Sequence, residues 1–283
     1  MSHVKFSRKL GMKDKIGFDF MAKSNSHCLY QLGAFYHGYC SKFYLHSSSK
    51  IYEANKFYRG GNLALNVTLT NYFLMLLSLI KESGNKNKIV IIGAHLWQII
   101  MLTPILCFSS VQVHLHGQAS GLFRRNTLKY YAWKILAYKF DLVVSNPAWD
   151  GPNFVRQINN VHLLKYEPRF IDNFSKNKVL IYRAAGFGAK VEKNIFKSLA
   201  NLGFEIIIPE RNDNSLISFE EINKVLNSVE FIFFDSSNGY YFFSPSGRIS
   251  DAINYSLKIL VSSKDYYGIQ ILKKYNANFL VFE

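Results

Sequence analysis

Cysteine is scarce in this 283-residue chain: Cys28, Cys40 and Cys107 are odd in number and show neither CxxC nor zinc-ligand spacing. That excludes a disulfide framework and a structural zinc site, and it suits a reducing cytoplasm. The apolar core of a signal peptide is also lacking, because His3, Lys5, Arg8, Lys9 and Lys13 stand among few apolar residues at the start. There is no GxGxxG fingerprint, no GxxxxGK[ST] P-loop, no zinc finger, no RNP-type aromatic motif and no internal repeat. Uninterrupted apolar runs of membrane-spanning length are missing as well. Residues 63–80 contain Asn66, Thr68, Thr70 and Asn71 and read as a largely buried helix. Residues 89–108 are broken by Gly93, His95, Gln98 and Pro104 into a strand, a turn and a helix. No segment is expected to cross a membrane.

Acidic residues are few, 19 against 34 lysines and arginines, for a net charge of +15. Residues 1–150 hold 18 basic and 6 acidic side chains, a net of +12, whereas 151–283 hold 16 and 13, a net of +3. A basic half with interleaved aromatics suits an anionic membrane face, a phosphorylated ligand or nucleic acid. Without a nucleic-acid reading motif, no nucleic acid is expected as partner.

What is present is an alternation of short β-branched or aromatic runs with helical patterns, the signature of parallel sheets covered by helices. Strands are expected at 42–46, 88–92, 111–116, 140–145, 178–183, 204–209, 230–235, 259–262 and 279–282. Helices are expected at 63–81, 96–107, 127–138, 190–202, 218–227, 250–256 and 267–275. The first 40 residues show no clear opening strand. Length and a 49% apolar fraction suit two α/β domains. A first domain is expected over 1–150, a linker over 151–175 where Gly151, Pro152 and Pro168 break periodicity, and a second domain over 176–283.

Three loops carry candidate chemistry. The segment SPSGRISDAI, 244–253, joins an apolar strand to a helix, the junction where a parallel sheet presents backbone N–H groups and a positive helix end to an anion. Ser246 and Gly247 allow a phosphate to approach the backbone, Arg248 adds charge, and Asp251 is placed to accept from a ribose. The competing reading makes Ser246 or Ser250 a helix cap and Asp251 a dipole complement. The turn RAAGFGAK, 183–190, sets Arg183, Gly186, Gly188 and Lys190 after another strand, so the two loops can form a clamp on a diphosphate. In the first half, successive strands end at His95, His116 and Ser145, which a parallel sheet brings to one edge. His114 is expected to pack under a helix, and Gly117 lets substrate come close to His116.

With these segments in view, the chain resembles the GT-B glycosyltransferases of bacterial surface-polysaccharide and lipopolysaccharide assembly. The resemblance rests on VHLHG (113–117), FDLVVS (140–145), VLIYR (179–183), the 186–190 loop, SGRISDAI (246–253) and KILV (258–261), in order over 88–283. It implies two facing Rossmann-like domains, here with a short amino-terminal one, a nucleotide-sugar donor in the second domain and a lipid-linked or oligosaccharide acceptor in the first. It implies no cofactor and no bound metal. By position, Arg183 and Lys190 would neutralise the leaving diphosphate, Ser246 and Gly247 would donate to it, Asp251 would meet the ribose, and His116 would lie beside the transferred sugar. Phe243 stands where that family places the first acid of a pair eight residues apart, and no helix crossing back to the first domain is expected after 279–283. An inverting reaction needs a general base, for which His116 and His95 have suitable intrinsic pKa values and Asp19 is a third candidate. Arg124 and Arg125 are placed to meet a lipid diphosphate or the inner face of the cytoplasmic membrane, where a peripheral protein is expected. Two other readings stand beside transfer: a non-catalytic partner subunit with the same fold, which the missing acid favours, and a basic nucleic-acid-binding protein.

Overall fold

The computed structural model describes residues 14–21, 25–59, 64–85, 87–115, 122, 127–161, 177–181, 193–208, 219–236 and 247–283. The chain opens with β1 (Lys15–Asp19), α1 (Asn25–Tyr36), β2 (Lys42–His46), α2 (Ile51–Arg59), β3 (Val67–Thr70) and α3 (Tyr72–Gly84). There follow β4 (Lys88–Gly93), α4 (Leu96–Leu106), β5 (Ser110–Leu115), α5 (Leu128–Ala137), β6 (Asp141–Val144) and β7 (Arg156–Gln157). These strands make a sheet in the order β3-β2-β1-β4-β5-β6-β7, and every pairing is parallel. The order reverses between β1 and β4, the doubly wound arrangement whose ligands sit outside the carboxyl ends of the strands at the reversal.

The second half contributes β8 (Lys178–Leu180), α6 (Lys193–Asn201), β9 (Glu205–Ile207), α7 (Phe219–Leu226) and β10 (Phe231–Phe234). It closes with α8 (Gly247–Asn254), β11 (Lys258–Ser262), α9 (Tyr266–Lys274) and β12 (Phe279–Phe282). Its sheet has the order β12-β11-β10-β8-β9, again all parallel, with the reversal between β8 and β10. Both sheets are therefore Rossmann-like and α/β, as the alternation of runs predicts.

Several expectations need correction. Residues 63–81 are not one helix. Val67-Thr-Leu-Thr70 is β-branched and pairs with β2 as an edge strand, and Asn71 then caps α3 by accepting from Leu74 N at 2.9 Å. Nor is α3 largely buried, since Phe73, Leu74, Leu77 and Ile80 are exposed. The opening segment holds β1, an interior strand beside the reversal. Its Gly17 dilutes the strand signal but is required there, because a Cβ would lie 2.1 Å from Cε1 of Phe43 on β2. The first sheet also continues past residue 150: β7 pairs with β6, and Arg156 Nη2 donates to Asp141 Oδ2 at 2.6 Å. The segment read as a linker thus begins with a strand.

Strand alternation sorts the core. Ile16, Phe18, Ile89, Ile91, Val111, Val113 and Leu142 pack under α3, α4 and α5. The opposite face, with Phe43, Leu45, Val90 and Ile92, packs under α1 and α2, and that cluster runs on without interruption into Leu180, Ile232, Phe234 and Val261 of the second sheet with α7, α8 and α9. The other face of the second sheet packs against α6 through Leu199. One face of each sheet thus feeds a common core. Gly33 of α1 makes the close approach possible, since a Cβ there would sit 1.5 Å from the Val161 carbonyl oxygen. Two hydrogen bonds cross the same region, Asn160 Nδ2 to Ser250 Oγ at 3.3 Å and Tyr275 Oη to Asn146 Oδ1 at 3.1 Å.

Candidate functional site

At the first sheet's reversal, Asp19 ends β1 opposite Gly93 of β4. Its side chain is fully buried. Oδ1 accepts from Met21 N at 2.8 Å and Oδ2 from Gln31 Nε2 at 2.7 Å, while Gln31 Oε1 accepts from Ser49 Oγ at 3.2 Å. The carboxylate thereby ties the turn after β1 to α1 and to the loop after β2. Beside it, the rings of His46 and Tyr72 stack with centroids 4.5 Å apart. The Asp19 charge, after burial, helps raise the Tyr72 phenol above its ordinary value. Sequence spacing ranks Asp19 third among the bases and gives no sign of Gln31, Ser49 or Tyr72, because only the strand order brings these positions together.

His95 follows β4 and occupies the cap position of α4, with its backbone N–H donating to Gln98 Oε1 at 2.7 Å and its side chain exposed. His116 leaves β5, the parallel neighbour of β4, but lies outside the described residues, as do Arg124, Arg125, Arg183, Gly186, Gly188, Lys190 and Ser246. Of the two candidate bases that are described, His95 and Asp19, only His95 presents an accessible side chain. Ser145 is not available for chemistry. It is buried, donates to the Asn159 carbonyl at 2.9 Å and accepts from Val161 N at 2.7 Å, so it braces the return of the chain after β7. His114 packs under α1 as its alternation predicts, with Tyr30 Oη 3.0 Å from Nδ1 and Gln112 Oε1 3.2 Å from Nε2. Desolvation pushes its pKa down to about 3, which keeps the ring neutral.

In the second sheet, the loops that leave β8 and β10 depart from adjacent parallel strands at the reversal, the two positions where the sequence sets its glycine-bearing turn and its SPSGR segment. Helix α8 begins at Gly247, three residues earlier than expected, so Gly247 and Arg248 are helical residues of the first turn. Gly247 is exposed and Arg248 half-buried. Ser250 is buried and accepts from Asn160 Nδ2 at 3.3 Å. Asp251 is the unusual member. Burial alone raises its carboxyl to about 7 although part of the residue still touches solvent, and among the described residues no group donates to it and no cation faces it. An unpaired carboxyl in a desolvated position is costly unless something else supplies the donors.

Asp265, which sequence reasoning passes over, organises the same edge. It caps α9 by accepting from Gly268 N at 2.8 Å and reaches across to β10, accepting from Ser236 N at 2.8 Å and from Ser236 Oγ. The first residues after β10 are thereby held in place. The only advance signal is an acidic residue one position before a helix. Among the described residues no group of three or more His, Cys, Asp and Glu side chains is placed to hold a metal ion, and no helix is long and apolar enough to cross a membrane. Compared with known proteins, the chain matches no protein-family model and no curated protein.

Proposed function

We propose that this chain is a GT-B-type glycosyltransferase: its second domain binds a nucleotide-sugar and its first presents a lipid-linked or oligosaccharide acceptor. The observation that carries the reading is Asp251, a half-buried carboxyl held in a desolvated position to which no group among the described residues donates, one turn into the helix that starts at the carboxyl edge of the second sheet. Ribose hydroxyls supply the donors it lacks. Arg248 and the amino end of α8 offset charge on the diphosphate, together with Arg183 and Lys190. Loss of the nucleoside diphosphate builds negative charge that these groups stabilise, so neither a covalent enzyme intermediate nor a metal ion is needed. In the first domain His95, at the cap of α4, and His116, next in sequence after β5, are the candidate bases for the acceptor hydroxyl, while Asp19 holds the surrounding loops.

The test is a thermal-shift screen of nucleoside diphosphates and nucleotide-sugars with the native chain, Arg248→Ala and Asp251→Ala. A rise in melting temperature with one nucleotide class, lost in both variants, is expected. Because a ribose contact calls for the ionised carboxylate, affinity should also weaken as pH falls below about 7. No shift with any nucleotide, in a folded sample, would remove the donor site. Binding without sugar transfer would favour the non-catalytic partner subunit, the reading that Phe243 supports.

A further inference from the structure

The helices α3, α4 and α5 cover the face of the first sheet that points away from the common core. Their outer surface is apolar where a solvated surface would be charged. Phe73 is 68% exposed, Trp97 63%, Met101 71% and Ile135 68%, and Phe108 just beyond α4 reaches 85%. Residues 89–110, which include all of α4, contain no charged side chain. Helices α3 and α4 touch each other, so these residues belong to neighbouring elements rather than to isolated spots. A monomeric surface rarely carries this much contiguous apolar area without a partner.

The charges that do emerge on this face have one sign. Lys81 on α3, Lys129 and Lys134 on α5, and Lys139 just after it are exposed. Glu82, the one acid on these helices, is turned inward and accepts from Tyr44 Oη at 2.8 Å and Asn87 Nδ2 at 2.8 Å. Asp141, at the start of β6, is engaged by Arg156. A second copy of the chain would bring lysines against lysines. An apolar surface rich in Trp, Phe, Leu and Met, rimmed by cations alone, matches the headgroup region of an anionic bilayer, where the apolar side chains enter the acyl boundary and the lysines meet lipid phosphates.

We infer that the α3–α4–α5 face seats the protein in the plane of an anionic membrane, with Trp97 and Met101 inserted. The inference goes beyond sugar transfer and does not depend on it. It also moves the membrane contact from Arg124 and Arg125, which lie outside the described residues, to the exposed side of three described helices.

The experiment is flotation of the full chain with vesicles of phosphatidylcholine alone or mixed with phosphatidylglycerol, alongside sedimentation velocity without lipid. Binding to the mixed vesicles, falling about tenfold on removal of the anionic lipid and again in Trp97→Ser with Met101→Ser, is expected. Both positions are exposed, so melting temperature should hold. A readout without any substitution of this face comes from Trp97 fluorescence in a Trp133→Phe, Trp149→Phe background: brominated lipid should quench it. Absence of binding to either vesicle, binding indifferent to Trp97 and Met101, or a dimer that the same double substitution dissolves would each overturn the proposal.

Discussion

Two desolvated titratable residues, Asp251 and His114, pull stability in opposite directions with pH. The folded state holds the Asp251 proton up to about pH 7, whereas an unfolded carboxyl releases it near 3.8. Folding is therefore favoured by this group at low pH, and the advantage is lost as pH rises from about 4 through 7. His114 does the reverse. Its folded ring refuses a proton down to about 3, whereas the unfolded ring takes one near 6.5, so stability falls as pH drops below 6.5. Between about 4 and 6.5 the two slopes offset. In Asp251→Asn, unfolding free energy should climb with pH across that window more steeply than in the native chain, by up to about 1.4 kcal/mol per pH unit. In His114→Asn the added slope should have the opposite sign. Urea melts at pH 4 to 8 measure both, and an unchanged slope in Asp251→Asn would mean that its carboxyl is not desolvated. A variant that is more stable at pH 8 yet fails to bind nucleotide would mark Asp251 as a residue kept for binding.

At the scale of elements, α1 depends on one missing side chain. Gly33 is buried in a helix, where glycine ordinarily costs about 1 kcal/mol against alanine, and its use is explained by the Val161 carbonyl oxygen 1.5 Å from where a Cβ would stand. Gly33→Ala should therefore destabilise by at least about 2 kcal/mol despite the better helix propensity. A neutral or stabilising result in a urea melt would show that the chain after β7 can move off α1. The same elements show what a sequence discloses. Runs such as Lys88-Ile-Val-Ile-Ile and Phe231-Ile-Phe-Phe announce strands through β-branched and aromatic density. In contrast, Lys15-Ile-Gly-Phe-Asp is too short and too mixed, because its identity as a strand depends on Phe43 filling the space over Gly17. Val67-Thr-Leu-Thr alternates with a period of two, but the long apolar run 72–80 directly after it draws the whole stretch into one helical reading. The candidate site was legible as separate strand ends and loops, including Asp251 and His95. Its supporting bonds, Asp19 to Gln31 and Asp265 to Ser236, join positions whose proximity is set by strand order alone.

At the scale of the molecule, two sheets that would each suffice for a domain share one apolar cluster, with Asn160–Ser250 and Tyr275–Asn146 bonded across it. Exposing that cluster by unfolding either sheet would strip its apolar cover from the other, so calorimetry should give one heat-absorption peak rather than two. Tyr275→Phe should lower that single peak without splitting it, by the ~1 kcal/mol of a buried hydrogen bond. Two resolved peaks in the native chain would show that the cluster does not couple the halves.

Strand order also has a cost in time. Interior strand β1 of the first sheet is made well before one of its two partners, since its Lys15 pairs with Lys88, 73 positions later. At a synthesis rate of roughly 5 to 20 residues per second, β1 waits about 4 to 15 s for β4 to emerge. Throughout that interval Ile16 and Phe18 have β2 within reach but lack Ile89 and Ile91 of β4, so the nascent chain carries apolar surface that only the later strand covers.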